Sequence, residues 1–520
     1  MEKESRLHKS FLNARVNLIF YFITLALSFV SRKVFLDCLG ADFVGLTVTL
    51  LNLLGFLNIV ELGIGLAIGY VLYKPLFDNN QEKIGEIISV LGFLYRRIGL
   101  IILVSGIVLS AFLPLIFVNE HCGLSLIYIV YYSYLFTSLL GYFVNYRQTL
   151  LSADQRNYVV TAYFQTANIL KIILQIVLAY YTHNPYFWIL VEVIFNIIYA
   201  MILNWKISQV YPWLKSDVKK GRDLYKKYPE VMKYTKQLFI HKIGSLFQIQ
   251  ATPILIYSFV SLQTVAFYGN YTLVTQKIQS LLDSFLGSTF AGVGNLIAEG
   301  NKDNIVKVYW ELTFIRVLLA GTVAFALYTL LPAFICLWVG EEYLLSDRVL
   351  YLILIYYFLL VNRGVTDQFI NGYALFYDTW APLAEAIIYV VVAVVGGSLW
   401  GLEGVLLGNI VSTIIIIYFW KPYFLFTKGF EVSIMEYWKR WLRNIVLFIL
   451  SFVAVRHLLS YVKVDAYEGW LQWMSVGFIC TISFIVLYCT LLLIFTSGAR
   501  DFINRVIGVL LSKKREYRKN

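Results

Sequence analysis

The chain has 520 residues, of which 59% are hydrophobic and 14% charged, whereas soluble domains are about 45–50% apolar and about 25% charged. This composition excludes an ordinary soluble domain, because a core of this size cannot bury so many apolar residues. The formal net charge of +12 is spread between apolar runs, which argues against a nucleic-acid-binding domain. The five cysteines and five histidines form no CxxC pair and no metal-ligand cluster, so we expect no metal and no other cofactor.

Polar residues divide the chain into apolar segments of the roughly 20 residues that a helix needs to cross the hydrocarbon core of a bilayer. The segments lie at about 14–34, 43–68, 91–118, 124–146, 158–181, 186–206, 238–260, 267–292, 308–334, 349–371, 381–400, 403–424, 444–463 and 470–495. The first is interpreted as a retained helix and not as a cleaved signal peptide. The sequence therefore predicts an all-α polytopic membrane protein of about fourteen transmembrane helices.

The distribution of basic residues predicts the orientation of these helices. An even number of helices places both termini on the same side, and most lysines and arginines lie in the segments of that side. Only a few lie on the opposite side, among them Arg32, Lys33, Arg348 and Arg456. Since basic loops stay in the cytoplasm, we expect both termini to be cytoplasmic.

The longest predicted cytoplasmic loop is basic and separates six predicted helices from the next six. We predict an N-terminal lobe over 1–206, a linker over 207–237, a C-terminal lobe over 238–430, and a terminal helix pair with a basic tail over 431–520. The linker and the tail either determine the topology alone or also hold anionic lipid headgroups.

Lys171 lies near the middle of the predicted fifth helix. Asn168, Lys171 and Gln175 follow i, i+3, i+7 spacing, which places them on one helix face. Because charge at membrane depth is costly, we interpret this face as the wall of a cavity that binds an anionic, hydroxyl-rich solute. The alternative is a lysine paired with a nearby glutamate for packing.

Polar residues follow other predicted helices in the same way. Arg32 ends a polar line on the first helix, and Gln248 lies on a polar face of the seventh. Arg363 and Asp367 have the i, i+4 spacing of a helical ion pair, which indicates either mutual neutralisation or a role in transport. Lys277 and Arg316 lie nearer the ends of their predicted spans, and we expect them to extend to the interface.

Three acidic residues are candidates for coupling transport to protons or sodium. They are Glu61, Asp283 and Asp367. Glu61, Glu192 and Glu385 are also candidate partners of Lys171, and the sequence alone does not pair them.

Several stretches resemble a known family. FVSRKVFLDCLGADFVGL and ELGIGLAIGYVLYKPLFDNNQEKI in the first half, and FYGNYTLVTQKI to GVGNLIAEGNKDNI in the second, are similar to bacterial polysaccharide-export proteins of the Wzx type. These are the O-antigen and capsule repeat-unit flippases of the multidrug/oligosaccharidyl-lipid/polysaccharide exporter (MOP) superfamily. The resemblance covers most of the first twelve predicted helices in layout and is specific mainly in these stretches.

The resemblance implies a fold, a substrate and a location. The fold would be two six-helix lobes around a central cavity, and Arg32 could match an arginine at the outer end of the first helix in related lipid II flippases. The substrate would be an undecaprenyl-diphosphate-linked oligosaccharide, moved by alternating access from the cytoplasmic to the periplasmic leaflet of the bacterial inner membrane for lipopolysaccharide or capsule biosynthesis. Membrane lipids, a polysaccharide polymerase and a chain-length regulator are the implied partners.

Alternatives remain in the same superfamily and outside it. A lipid II flippase would have the same layout, and a multidrug exporter would carry acidic residues in its cavity. A membrane glycosyltransferase or polymerase is disfavoured, because the predicted outside loops, such as Thr182 to Pro185, are short. No GxxxxGK[ST] motif for ATP occurs, so we expect a transporter and not an enzyme.

Overall fold

The computed structural model describes residues 6–61, 63–118, 122–287, 290–461 and 465–517, and this part of the chain is helical without any strand. The chain forms two compact units, Met1–Ala266 and Phe267–Asn520. The predicted division into lobes, linker and terminal pair is a division by membrane topology and stays a prediction.

The first unit contains eleven numbered helices and the start of a twelfth. They are α1 (Arg6–Leu39), α2 (Ala41–Leu57), α3 (Ile64–Phe77), α4 (Gln81–Ser110), α5 (Leu113–Ile116), α6 (Leu124–Phe143), α7 (Gln148–Ala153), α8 (Tyr158–Thr182), α9 (Pro185–Val210), α10 (Gly221–Leu224), α11 (Pro229–Phe259) and α12 (Leu262–Gly287). Within this unit α1 packs against α8, α8 against α9, and α11 against α2 and α3.

The second unit contains the rest of α12 and the helices that follow. They are α13 (Phe290–Glu299), α14 (Lys302–Trp338), α15 (Asp347–Gly372), α16 (Trp380–Trp400), α17 (Leu402–Thr413), α18 (Lys421–Leu425), α19 (Ile434–Leu459), α20 (Trp470–Phe495) and α21 (Ser497–Tyr517). The segments Ile414–Trp420 and Phe426–Phe430 are π-helical and continue α17 and α18. Within this unit α14 packs against α15, α20 and α21.

Among the described residues, twelve helices are long and apolar enough to cross a membrane by length and composition. The predicted second span corresponds to α2 and α3, which are shorter apolar helices, and the predicted seventh span lies in α11. The prediction of an all-helical, multi-pass membrane fold is confirmed.

The second predicted span is interrupted between α2 and α3. Asn58–Glu61 form a 3-10 turn, and Gly63 has φ of 94°, a left-handed conformation that glycine adopts without a steric cost. A Cβ at Gly63 would also lie 2.8 Å from the Cβ of Leu238. Broken helices at membrane depth are tolerated where the freed backbone is buried in protein or lines a cavity.

The predicted cytoplasmic linker is docked on α4. The backbone N–H of Asp217 donates to Ser89 Oγ at 2.9 Å, and a Cβ at Gly85 would lie 2.7 Å from the carbonyl oxygen of Lys215. A Cβ at Gly221 would lie 2.3 Å from the carbonyl oxygen of Ser89. Small residues on both sides therefore let the linker backbone approach α4 directly.

A second close approach joins α16 and α17. A Cβ at Gly404 would lie 1.8 Å from the carbonyl oxygen of Gly396, and one at Gly408 would lie 2.7 Å from the Cβ of Ala393. Glycine at such points lets the two helices pack backbone against backbone.

Candidate functional site

In the first unit, a charged group joins α8 and α9, two helices that are long and apolar enough to cross a membrane. Lys171 Nζ lies 3.0 Å from Glu192 Oε1. Gln175 Nε2 donates to Glu192 Oε2 at 3.1 Å, and Asn196 Nδ2 donates to Glu192 Oε1 at 3.1 Å. The lysine, an amide from its own helix and an amide from α9 therefore all bind one carboxylate.

Asn168, the third residue of the predicted polar face of α8, also faces α9. Tyr199 OH on α9 donates to Asn168 Oδ1 at 3.4 Å, and Gln175 also donates to the carbonyl oxygen of Trp188 at 3.2 Å. Asn168, Lys171 and Gln175 thus share one face, and that face is turned towards α9. Lys171 has the glutamate partner that the alternative interpretation required, and the role of this face in transport stays a prediction.

A second polar group surrounds the break between α2 and α3. Tyr95 OH donates to Glu61 Oε1 at 2.7 Å, and Lys242 on α11 is in the electrostatic surroundings of this carboxylate. Tyr142 OH donates to Asn58 Oδ1 at 2.9 Å. The interrupted helix therefore presents a carboxylate and an amide to neighbouring helices at the point where its own hydrogen bonding stops.

The other two predicted residues of the first unit are engaged separately. Arg32 Nη2 donates to the carbonyl oxygen of Ala266 in the first turns of α12, at 2.8 Å. Gln248 is buried in α11, where Thr252 Oγ1 donates to its carbonyl oxygen at 2.7 Å. Neither contact joins these residues to Lys171.

In the second unit, Arg363 binds two carboxylates. Arg363 Nε donates to Asp367 Oδ2 at 3.0 Å along α15, and Nη1 lies 3.9 Å from Glu385 Oε1 on α16. The Glu385 side chain is 8% exposed and that of Asp367 is 36% exposed. The predicted ion pair is present, and a second, buried acid makes it a group of three.

Arg316 belongs to the same region, contrary to the expectation that it extends to the interface. It is 7% exposed and donates from Nη1 to the carbonyl oxygen of Val361 at 3.0 Å. Asp283 and Asp367 are the carboxylates in its electrostatic surroundings. The sequence signal that would have shown this is the N-cap of α14, Asn301, whose side chain accepts from the backbone N–H of Asn304. A helix that begins there reaches Arg316 about 21 Å from its start, at 1.5 Å per residue.

Asp283 is exposed on α12 and accepts from Gln279 Nε2 at 2.9 Å. It is one of the two carboxylates in the electrostatic surroundings of Arg316, and within the part of the chain that the structure describes no ion pair joins it to Arg363.

A small cavity with four polar residues in its wall adjoins Arg363. It has a volume of about 30 Å³ and is lined by Asn362, Arg363, Thr366 and Asn444, together with aromatic residues of α14, α19 and the first π-helical segment. The side-chain oxygens of Asn362 and Asn444 are buried without a partner. A cavity of this size has room for about one water, and the two unpartnered oxygens belong to residues of its wall.

Within the described residues, no group of three or more histidine, cysteine or acidic side chains could hold a metal ion. Lysine, arginine and carboxylate side chains, on helices long and apolar enough to cross a membrane, make up the groups described above.

The sequence matches no protein-family model and no curated relative. Solved structures do match the fold. A lipid II flippase, MurJ, in an inward closed conformation aligns with a TM-score of 0.62 at 15% identity over 93% of this chain and 99% of that chain. An inward-facing multidrug resistance transporter of the MATE family of the MOP superfamily aligns with a TM-score of 0.56 at 15% identity, over 79% of this chain and 97% of that chain. The chain shares the fold of these two membrane transport proteins.

Proposed function

We propose that the chain is a flippase that moves an undecaprenyl-diphosphate-linked oligosaccharide from the cytoplasmic to the periplasmic leaflet of a bacterial inner membrane, for O-antigen, capsule or related polysaccharide biosynthesis. The observation that carries the proposal is the set of cations inside membrane-crossing helices, Lys171, Arg363 and Arg316. Charges at this depth are costly and mark substrate or ion pathways more often than packing. The fold shared with a lipid II flippase supports the same class of substrate.

A diphosphate can exchange with the carboxylates that now hold these cations. Lys171 and Arg363 have side chains that are 14% and 26% exposed, so each retains a face towards its surroundings. An arriving diphosphate offers more negative charge than one carboxylate and several acceptor oxygens. The neighbouring amides, Asn168 and Gln175 beside Lys171, suit sugar hydroxyl groups.

Transport would proceed by alternating access. The headgroup enters from the cytoplasmic side, the helices rearrange, and the headgroup leaves on the other side while the prenyl chain stays in the lipid. Arg32 lies near the C-terminal end of α1, which the predicted topology places outside, where it could meet the departing diphosphate. Both termini and the docked linker would be cytoplasmic.

Coupling would use a carboxylate whose charge changes during the cycle. Glu61 is the first candidate, because it lies at a helix break, a position where transporters place ion sites. Asp283 and Asp367 are the candidates in the second unit, beside Arg316 and Arg363. Glu61→Gln should reduce the dependence of flipping in proteoliposomes on an imposed ion gradient.

Two alternatives within the superfamily are a lipid II flippase and a multidrug exporter. The alignment with the lipid II flippase covers 93% of this chain, and the alignment with the multidrug transporter covers 79%. The half-buried and buried cations Lys171, Arg363 and Arg316 favour an anionic, lipid-linked substrate over a cationic drug. Rescue of cells depleted of their own lipid II flippase would identify the first alternative, and efflux of cationic dyes would identify the second.

The decisive experiment replaces Lys171 by alanine in the native host, with membrane expression confirmed. We expect loss of surface polysaccharide and accumulation of its lipid-linked precursor on the cytoplasmic leaflet. Lys33→Ala is the matched control, since Lys33 and its partner Asp37 are both 48% exposed. Normal export by the Lys171→Ala variant would contradict the proposed cation site.

The proposed partners are the substrate, membrane lipids, and the polysaccharide polymerase and chain-length regulator that act on the flipped product. Crosslinking in whole cells should recover the last two with this chain, and their absence would leave the flippase acting alone.

A further inference from the structure

Three arginines meet where α14, α19, α20 and α21 begin or end. Arg440 and Arg443 lie on the first turns of α19, and Arg500 lies at the start of α21. Arg440 and Arg500 are both in the electrostatic surroundings of Arg443. We refer to these three residues as the arginine cluster.

Two members of the arginine cluster have partners. Arg440 Nη1 donates to Ser497 Oγ at 3.0 Å, Nη2 pairs with Glu436, and the guanidinium lies 4.6 Å from the ring centre of Trp310. Arg500 Nη1 donates to the carbonyl oxygen of Ile494 at 2.8 Å. These contacts hold the two guanidinium groups in place, and Arg440 lines the same recess as Arg443.

Arg443 has no partner in the part of the chain that the structure describes. Its Nε is buried without a hydrogen bond, and no carboxylate lies within ion-pair distance of it. A guanidinium offers five donors in a planar fork that fits phosphate and carboxylate. The Arg443 guanidinium therefore has free donors with which it can bind an anionic ligand.

The nearby acidic residues already form ion pairs with other basic residues. Glu311 pairs with Arg505 at 2.7 Å, and Asp501 pairs with Lys307 at 3.4 Å. Glu436 is the acidic residue that pairs with a member of the arginine cluster, Arg440. Three guanidinium groups thus have one carboxylate among them, paired with Arg440, and an added anion would relieve the repulsion between them.

Arg440 and Arg443 line a recess of about 10 Å³, together with Trp310, Thr313, Asn444 and Thr496. The Nε1 of Trp310 is buried without a partner. The recess has room for about one water, so a phosphate would lie at its mouth, between the guanidinium groups. Trp310, Thr313 and Asn444 also line the cavity beside Arg363.

The surroundings favour a ligand that comes from the lipid. α19 is one of the helices apolar enough to cross a membrane, and Leu442 and Val446 next to Arg443 are 60% and 46% exposed. Trp438 and Trp441 lie on the same turns, as aromatic residues do at the headgroup level. A lipid phosphate is already present at this depth, whereas a soluble anion would have to cross an apolar surface.

We propose that the arginine cluster is a binding site for the phosphate group of an anionic phospholipid, at the end of the α19–α20 pair that adjoins the C-terminal helix. The site would anchor α19, α20 and α21 to one leaflet, and it does not depend on which cargo the protein moves.

The test titrates the delipidated, full-length protein in a neutral detergent with phosphatidylglycerol and counts bound lipids by native mass spectrometry. Arg443→Gln should weaken the tightest binding about tenfold, as expected for the loss of a hydrogen-bonded charge. Arg443→Lys should weaken it less, since the charge remains and the fork is lost. Lys439→Gln is the matched control, because Lys439 is an exposed cation one turn before Arg443 on α19.

Three results would overturn the proposal. They are unchanged binding by Arg443→Gln, an equal loss in Lys439→Gln, and displacement of the lipid by an equal concentration of inorganic phosphate, which would indicate a site for soluble anions. Phosphatidylcholine should bind the unaltered protein more weakly than phosphatidylglycerol, and equal binding would contradict the role of net charge. If Arg443→Gln is not monodisperse, Arg500→Gln is judged by the same criteria.

Discussion

The ion pair of Lys171 and Glu192 joins α8 to α9. Its contribution to packing and its contribution to transport can be tested separately. Exchanging the two charges, Lys171→Glu with Glu192→Lys, should restore the ion pair and most of the stability that either single change removes, because a buried charge without a partner costs several kcal/mol, about 3–5. If the cation must meet substrate from α8, export should stay lost in the double variant. Thermal unfolding and surface polysaccharide are the two measurements, and full recovery of both would indicate a packing role alone.

Gly65 leaves room for the contact between Tyr95 and Glu61. A Cβ at Gly65 would lie 2.9 Å from Tyr95 Oη and 3.3 Å from Glu61 Oε1. We expect Gly65→Ala to disturb this hydrogen bond and to destabilise the protein by about 1–3 kcal/mol, the usual effect on a hydrogen bond to a charged group. Gly69→Ala on the same helix is the control, since nothing lies within 4 Å of a Cβ there, and equal melting points for the two variants would contradict the expectation.

The residues of the candidate site were predictable in part. The i, i+3, i+7 spacing shows which side chains of α8 share a face, and the i, i+4 spacing shows that Arg363 can reach Asp367. The partners Glu192 and Glu385 come from other helices, and no spacing within one helix determines which helix lies opposite. The burial of Arg316 was missed because the apolar run does not show where α14 begins.

At the scale of elements, the contact between α16 and α17 depends on the absence of side chains. Gly404→Ala should push the two backbones apart and destabilise the protein by about 1–3 kcal/mol, as overpacking does. Gly141→Ala in α6 is the control, because a Cβ at Gly141 has nothing within 4 Å. Melting of the purified proteins, followed by size-exclusion chromatography, should show a lower midpoint for the first variant and not for the second.

The docked linker gives a second prediction for elements. Gly221→Val should release the linker from α4, since even a Cβ would lie 2.3 Å from the carbonyl oxygen of Ser89 and 2.6 Å from the Cβ of Phe93. Trypsin should then cleave at the linker lysines faster than in the unaltered protein. An unchanged rate of cleavage would mean that the linker is held by other contacts, such as the pair of Lys227 with Glu86.

The positions of the helices were predicted more completely than the interruptions and π-helical segments within them. Length and apolarity are enough to locate membrane-crossing helices, and the predicted spans correspond to helices of the structure. The 3-10 turn at Asn58–Glu61 was merged into one span, because the residues on both sides of it are apolar and two polar residues within the turn do not interrupt that run. The second π-helical segment packs through Phe426 and Phe430 against Tyr309 and Phe369 of other helices, and no local sequence pattern reveals such contacts.

For the whole molecule, the orientation in the membrane can be tested directly. Alkaline phosphatase fused after Gly469, between α19 and α20, should be active, because the predicted topology places this loop outside. Fusions within the linker, at Lys220, or at the C-terminus should be inactive. Activity of the linker fusion would reverse the predicted orientation and with it the direction of transport.

The position of α11 has a consequence for how the chain is made. The first compact unit ends at Ala266, and α11, which follows the linker, packs against α2 and α3 within it. A nascent chain that has reached only the linker therefore lacks the helix that covers these two. The ribosome adds the next forty or so residues in several seconds, at about 5–20 residues per second. During this time we expect the translocon or an insertase to cover α2, α3 and the break at Glu61 until α11 packs against them.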